Sequence, residues 1–272
     1  MLDDVVELLA CPHCGSSLDR IGGALRCTSH HVFDIARQGY VSLLPGGSKV
    51  VGDTAEMIAA RAAFQAAGHY APIAEAVAEA VSGDGPVVDV GAGTGYYLAR
   101  ALGESGRAGV ALDVSKYACR RAAKAHPRVG AAVADAWHGL PIRSGAASVL
   151  LNVFAPRNAA EMHRVLRPGG ELVVVVPNSG HLAGLVDELG LLNVDAQKRQ
   201  RLSDQLAGRF APSASDTLEF PLVLSHEEAE SAVAMGPSAW HTGSEELRER
   251  VRDLGDPVAA TASVTVATYR RT

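Results

Sequence analysis

Three things are scarce in this chain of 272 residues, and each scarcity narrows what it can be. No apolar run approaches the roughly 20 residues of a membrane helix, so a bilayer span is not expected. Basic charge is short. Lys and Arg number 25 against 30 Asp and Glu, a formal charge of −5, which argues against a broad nucleic-acid coat but leaves room for a local basic patch. Cysteines number four, and three of them fall between positions 11 and 27, a metal-ligand arrangement rather than a disulfide framework. The fourth, Cys119, lies on an Ala-rich stretch and reads as a buried small hydrophobe. The opening Met1-Leu2-Asp3-Asp4 is acidic and lacks the basic start of a secretory signal, so the expected compartment is the cytoplasm.

What is present begins with Cys11-Pro12-His13-Cys14-Gly15 and Cys27-Thr28-Ser29-His30-His31. Between them, residues 17–26 read as a hairpin turned by Gly22-Gly23, which returns Cys27 to the Cys11/Cys14 knuckle. Three thiolates and one imidazole then form a closed tetrahedral set suited to structural zinc. The Cys-x3-His spacing selects His31 as fourth ligand, with His30 as the alternative. So short a unit has too little core to stand alone, and the metal supplies folding energy. The polar stretch Pro45-Gly46-Gly47-Ser48-Lys49 divides the chain into a zinc-binding module, 1–45, and a second domain, 46–272.

The second domain carries the run Val87-Val88-Asp89-Val90-Gly91-Ala92-Gly93-Thr94-Gly95, an apolar strand entering a glycine-rich turn before a helix. Glycines there let backbone approach a nucleotide-like ligand with no Cβ in the way. Tyr96 stands where a dinucleotide fingerprint needs a third small residue, which favours S-adenosylmethionine over NAD. Strands are expected near 86–91, 107–114, 130–135, 147–154 and 170–177, alternating with helices. Two late β-rich runs, 217–224 and 262–269, would complete a seven-stranded, mostly parallel sheet of Rossmann-like α/β type, the fold of class I methyltransferases.

Ligands of such sheets lie beyond the carboxyl ends of the strands. That rule gathers Asp89 with Gly91, Gly93, Thr94 and Gly95, then Asp113 for the ribose hydroxyls. It adds Asp135 for an adenine amino group, with Ala136 offering its N–H. Asn152-Val153-Phe154-Ala155-Pro156 ends the fourth strand, where a methyl acceptor must lie. The run lacks the Asn/Asp-Pro-Pro-aromatic pattern of exocyclic-amine methylation, which points to another atom such as a ring nitrogen. Asn152 and Phe154 are candidate catalytic residues, Phe154 by stacking on a base. Asp53-Thr54-Ala55-Glu56 has the form of a helix N-cap, and Asp53 is also a candidate general base. Arg157 is a candidate RNA contact. Lys116, Arg120, Arg121, Lys124 and Arg128 read as the solvated face of a helix, with phosphate contact as the alternative.

Taken in order, several stretches resemble the RlmA-type guanine-N1 methyltransferases of 23S ribosomal RNA over nearly the whole chain. They are the Cys/His set, Phe33-Asp34 with Gly39-Tyr40-Val41, Gly52-Asp53-Thr54-Ala55-Glu56-Met57, Gly68-His69-Tyr70, Leu112-Asp113-Val114-Ser115-Lys116, Phe154-Ala155-Pro156 and Met235-Gly236-Pro237-Ser238-Ala239-Trp240. The residues 152–158 are similar to the Gram-positive branch, which includes macrolide-resistance methyltransferases of antibiotic producers. The resemblance implies a guanine at nucleotide 748 in hairpin 35 of 23S rRNA as target, and cofactor contacts from Tyr70 and His181. It also implies a zinc module that grips the RNA, and a homodimer. A small-molecule methyltransferase or a non-catalytic RNA-binding protein is the rival reading; the first has no evident need of a zinc module.

Overall fold

Alternate residues of each central strand enter opposite apolar layers. Val87, Val149, Leu151, Val173 and Val175 pack into one cluster, and Val88, Val90, Leu150, Val174 and Val176 into the other. Such near-continuous apolar strands belong to a sheet covered on both faces. The structure, a computed structural model, describes residues 2–45, 50–190, 198–236 and 244–272. The expected boundary at Gly46–Lys49 and the stretch Pro237–Trp240 lie outside the described residues.

Three short strands open the chain: β1 (Leu18–Ile21), β2 (Ala24–Cys27) and β3 (Val32–Asp34), paired antiparallel in that order. β4 (Tyr40–Ser42) and the helices α1 (Ala55–Ala66) and α2 (Ala71–Ala80) follow. The alternating core comprises β5 (Val87–Val90), α3 (Tyr96–Leu102), β6 (Gly109–Asp113), α4 (Lys116–Ala122), β7 (Val129–Val133), β8 (Ala147–Val153), α5 (Ala159–Val165) and β9 (Leu166–Pro177). The remainder is α6 (Leu185–Leu189), α7 (Lys198–Leu206), β10 (Phe210–Leu224), α8 (His226–Ala234), α9 (Ser244–Arg252) and β11 (Val258–Arg271).

The main sheet runs β10-β11-β9-β8-β5-β6-β7-β4, parallel from β9 to β4 and antiparallel at β11 and β10. It therefore has eight strands, not the seven expected. The extra one is β4, whose Tyr40, Val41 and Ser42 pair with Ala131, Ala132 and Val133. Its three residues alternate too briefly to stand out in the sequence, but Val41 is fully buried against the sheet. Strand order reverses at β5, which has β6 on one side and β8 on the other. That places the ligand crevice beyond the carboxyl end of β5.

The zinc module is not an island. Val5, Leu9, Leu18, Leu25 and Phe33 belong to the same apolar cluster as Val88, Val110 and Leu112 of the sheet. Each fully buried side chain of this size contributes roughly 1.5–3 kcal/mol. Backbone bonds from Ala10 N–H to the Pro141 carbonyl, and from Arg143 N–H to the Leu8 carbonyl, fix the approach. Among the described residues, no helix is long and apolar enough to cross a membrane.

Candidate active site and zinc cluster

Gly91, Gly93 and Gly95 all hold positive φ, at 80°, 54° and 79°. Crowding adds to this at Gly91 and at Gly95, where a Cβ on Gly95 would lie 3.0 Å from the Ala122 Cα. A Cβ on Gly91 would lie 2.4 Å from the Ala155 Cβ, so the turn passes directly against the end of β8. A Cβ on Gly93 would lie 3.3 Å from the Arg61 guanidinium. The N–H groups of Gly91 and Ala92 both bond the Leu112 carbonyl, at 2.8 and 2.9 Å, and Thr94 donates its hydroxyl to the Gln65 Oε1 at 2.6 Å.

Asp113 ends β6 with its carboxylate accepting from Gly93 N–H and Ser115 N–H, each at 2.8 Å. Each oxygen keeps a lone pair for a further donor. Burial pushes the Asp113 carboxyl up, against those backbone bonds. Asp89 is fully buried at the end of β5, and neither carboxylate oxygen has a partner among the described residues. Burial, and then the charge of Asp113, push it up to about 7. A buried, unpartnered carboxylate needs a cation or a donor. The sulfonium and ammonium of S-adenosylmethionine supply positive charge, so these residues fit that cofactor.

Asp135 is buried at the end of β7 and already accepts from Trp137 N–H at 2.9 Å, with His138 Nδ1 at 2.5 Å. Ala136 follows it, half-buried. Asn152 is fully buried, and its amide is used within the protein. It donates to the Val90 carbonyl at 3.1 Å and the Pro156 carbonyl at 2.9 Å, and accepts from Arg157 at 3.2 Å. Asn152 thus holds the β8 turn in place, and Arg157 turns inward instead of toward solvent.

Phe154 adopts φ of 53°, a left-handed conformation that bulky residues rarely take. Its N–H is tied to the Val175 carbonyl, and its ring, 39% exposed, stands 6.1 Å from Tyr70, 6.3 Å from Tyr97 and 5.7 Å from His181. Tyr70 and His181, drawn in by resemblance alone, meet here at 2.9 Å. The Ser263 N–H donates to His181 Nδ1 at 3.2 Å, so in the neutral ring Nε2 carries the proton and donates to Tyr70. That leaves the Tyr70 hydroxyl proton for a bound molecule. Burial pushes the Tyr70 phenol far up, so it stays protonated.

Asp53 departs from its expected places. Thr54, not Asp53, caps α1 by accepting from Met57 N–H, because Thr54 takes the extended backbone a cap needs. The Asp53 carboxylate instead pairs with Arg61 at 2.7 Å, so it is not a free base. Arg61 and Gln65 were invisible to motif reading. The signal lay in α1, where the inward stripe Met57, Ile58, Phe64 carries two polar residues at its own spacing.

At the other end of the chain, the ligand atoms of Cys11, Cys14, Cys27 and His31 lie within 4.8 Å of one another. Cys14 and Cys27 sulfurs are 3.7 Å apart, and His31 Nδ1 is 3.3 Å from Cys27 and 3.5 Å from Cys11. Tetrahedral zinc with bonds of about 2.3 Å to sulfur and 2.0 Å to nitrogen needs edges of this size. The geometry selects His31; His30 is exposed, in a left-handed turn. Hydrogen bonding with Ser16 holds the Cys14 thiol down at about 5, favouring the thiolate a metal requires. A cleft of about 520 Å³ separates this knuckle from the loop after β7, lined among others by His13, His138 and Arg143.

Comparison with known proteins agrees with both halves. Residues 9–50 match the family model described as RlmA, N-terminal, and residues 87–170 match a methyltransferase domain. The 23S rRNA (guanine(748)-N1)-methyltransferase of Streptomyces fradiae is 50% identical, over 99% of each chain. A Micromonospora griseorubida protein named for the 23S rRNA (guanine-N1) reaction is also 50% identical over 99% of each. A Bacillus subtilis protein named for the same reaction is 32% identical over 86% of this chain and 87% of its own. Among solved structures, the [4+2]-cyclase SpnF shares the fold alone, at 21% identity and a TM-score of 0.51, over 73% of this chain and 79% of that one. On full-length likeness, with its glycine turn and zinc cluster both in place, the chain belongs to the RlmA-type 23S rRNA (guanine-N1)-methyltransferases, which use S-adenosylmethionine and carry a structural zinc.

Proposed function

We propose that this enzyme methylates N1 of guanine 748 in hairpin 35 of 23S rRNA, in the cytoplasm. The observation that carries this reading is half-identity, end to end, with the Streptomyces fradiae enzyme named for that nucleotide. The bound cofactor supplies an electrophilic methyl on a sulfonium. The protein's own part is to hold the two reactants in line.

Asp89, Asp113, Gly91, Gly93, Thr94 and Gly95 form the cofactor cradle, with Asp135 and Ala136 at its adenine end and Tyr70 and His181 at its mouth. Phe154 offers a ring face at the end of β8, suited to a guanine swung out of a loop. Asn152 fixes that turn, so its part in catalysis is positional. Asp53, bound to Arg61, is a positioning residue in this reading, and the proton lost from N1 passes to solvent. Cys11, Cys14, Cys27 and His31 hold zinc, which shapes the module that grips the hairpin. His13, His138 and Arg143 line a cleft with groups suited to phosphate.

The test is primer extension across hairpin 35 on rRNA from cells with and without the gene, because an N1 methyl blocks base pairing. A stop at nucleotide 748 that depends on the protein is the expected result. A stop at another guanine would overturn the choice of target. Loss of the stop together with unchanged macrolide susceptibility would separate methylation from resistance, which the same reading extends to. Light scattering checks the homodimer that the resemblance implies.

A further inference from the structure

The crevice beyond β5 is rich in carboxylates, with Asp53, Asp89 and Asp113 all around the glycine turn. One cation reaches over that turn from α1. The Arg61 Nη1 lies 2.7 Å from the Asp53 Oδ2, and Nη2 donates to the Met235 carbonyl at 2.7 Å. The guanidinium is also the first group a side chain on Gly93 would meet, at 3.3 Å. Its charge reaches Asp113, Tyr70 and Tyr97.

The apolar packing of α1 does not call for a guanidinium here, although Arg61 also ties the helix to the end of α8 through the Met235 carbonyl. α1 would bury its stripe as well with an apolar residue at 61, since Ile58 and Phe64 beside it are fully buried. Of the two struts that orient Arg61, Asp53 is local, 8 residues away in sequence, and the Met235 carbonyl is distant, 174 residues away. Together they take two of its five donors among the described residues, and the planar fork keeps donors for a further acceptor. The cofactor's amino-acid tail carries an ammonium and a carboxylate. Asp89 and Asp113 suit positive charge; a carboxylate in this acidic crevice would be repelled unless a cation met it.

We propose that Arg61 binds the carboxylate of the cofactor's methionine moiety, oriented by Asp53 and the Met235 carbonyl. The enzyme then reads both charges of the tail, the positive one through buried acid and the negative one through this fork. Asp53 and Met235 are positioning groups, and Arg61 is a binding residue. A consequence is selectivity: nucleosides that keep the adenosine and thioether but lack the carboxylate are poor ligands.

The experiment is calorimetric titration of the zinc-loaded full chain with two probes. One is S-adenosylhomocysteine. The other is its decarboxylated analogue, which keeps the ammonium and differs by the carboxylate alone. The wild-type protein should prefer the first by about 10- to 100-fold, the worth of a charge-assisted bond. R61Q should lose that margin for S-adenosylhomocysteine and leave the affinity for the analogue unchanged. R61K, a charge without the fork, should restore part of the preference. Equal weakening of both probes by R61Q would mean a purely structural role and overturn the proposal. So would an R61Q protein that still prefers the carboxylate, or a wild-type protein that never did. R61K gives the same discrimination test if R61Q does not fold.

Discussion

Asp89 is buried at the end of β5 with both oxygens unpartnered among the described residues, and its carboxyl sits at about 7 where 3.8 is ordinary. The sign follows from which state holds the proton. Below pH 3.8 the carboxyl is protonated in folded and unfolded chains alike, and no penalty exists. Between 3.8 and about 7 the folded chain keeps a proton that the unfolded chain has lost. Unliganded stability therefore falls with pH, by about 1.4 kcal/mol per pH unit. Above 7 both forms are ionised and the full cost, on the order of 4 kcal/mol, is in place. Asp89→Asn removes the charge, so the variant should gain up to about that much over wild type at pH 8 and little at pH 4. Its cofactor affinity should move the other way, at least about tenfold weaker, because an amide cannot balance a cation. Wild-type affinity should also rise with pH up to about 7, since the ionised form is the one that attracts the cofactor. Urea unfolding of both proteins from pH 4 to 8, with titration calorimetry of S-adenosylmethionine, reads every part of this. Parallel stability curves for the two proteins would refute the assignment of a buried, uncompensated charge.

Other expectations are more local. Asp113→Ala should weaken cofactor binding at least about tenfold by calorimetry, and should lower the melting temperature because Gly93 and Ser115 N–H groups lose their acceptor. Cys14→Ser should empty the zinc site, and full metal content in that variant would disprove the ligand set. Phe154→Ala should cut methyl transfer to rRNA by about 10- to 100-fold through lost stacking, with cofactor affinity held; an unchanged rate would remove the base from that ring.

Much of this was legible in the sequence because the features are local. Cys11, Cys14, Cys27 and His31 announce themselves by spacing, and the run Val87–Gly95 contains strand, turn and helix start within nine residues. What stayed hidden depended on contacts between distant segments. Arg61 looked like one more polar residue on a helix, and only Asp53, Gly93 and Met235 together give it meaning. Asp53 looked like a cap because Thr54 beside it can play the same part, and backbone angles decide between them. Asn152 looked chemical by its place at a strand end, and only the three-dimensional pairing of β8 with β5 shows that the carbonyls of Val90 and Pro156 already occupy its amide.

β4 does more than add a row of hydrogen bonds. It seals a flank of the sheet that would otherwise present the free backbone of β7, a template on which a second molecule can dock. Five residues separate β4 from β3 of the metal-bound module. Chelation should therefore release this seal early, and turbidity should climb while the far half of the sheet still gives its native circular dichroism. The expected consequence is that zinc guards the sheet edge against aggregation, an effect separate from any part in recognising RNA.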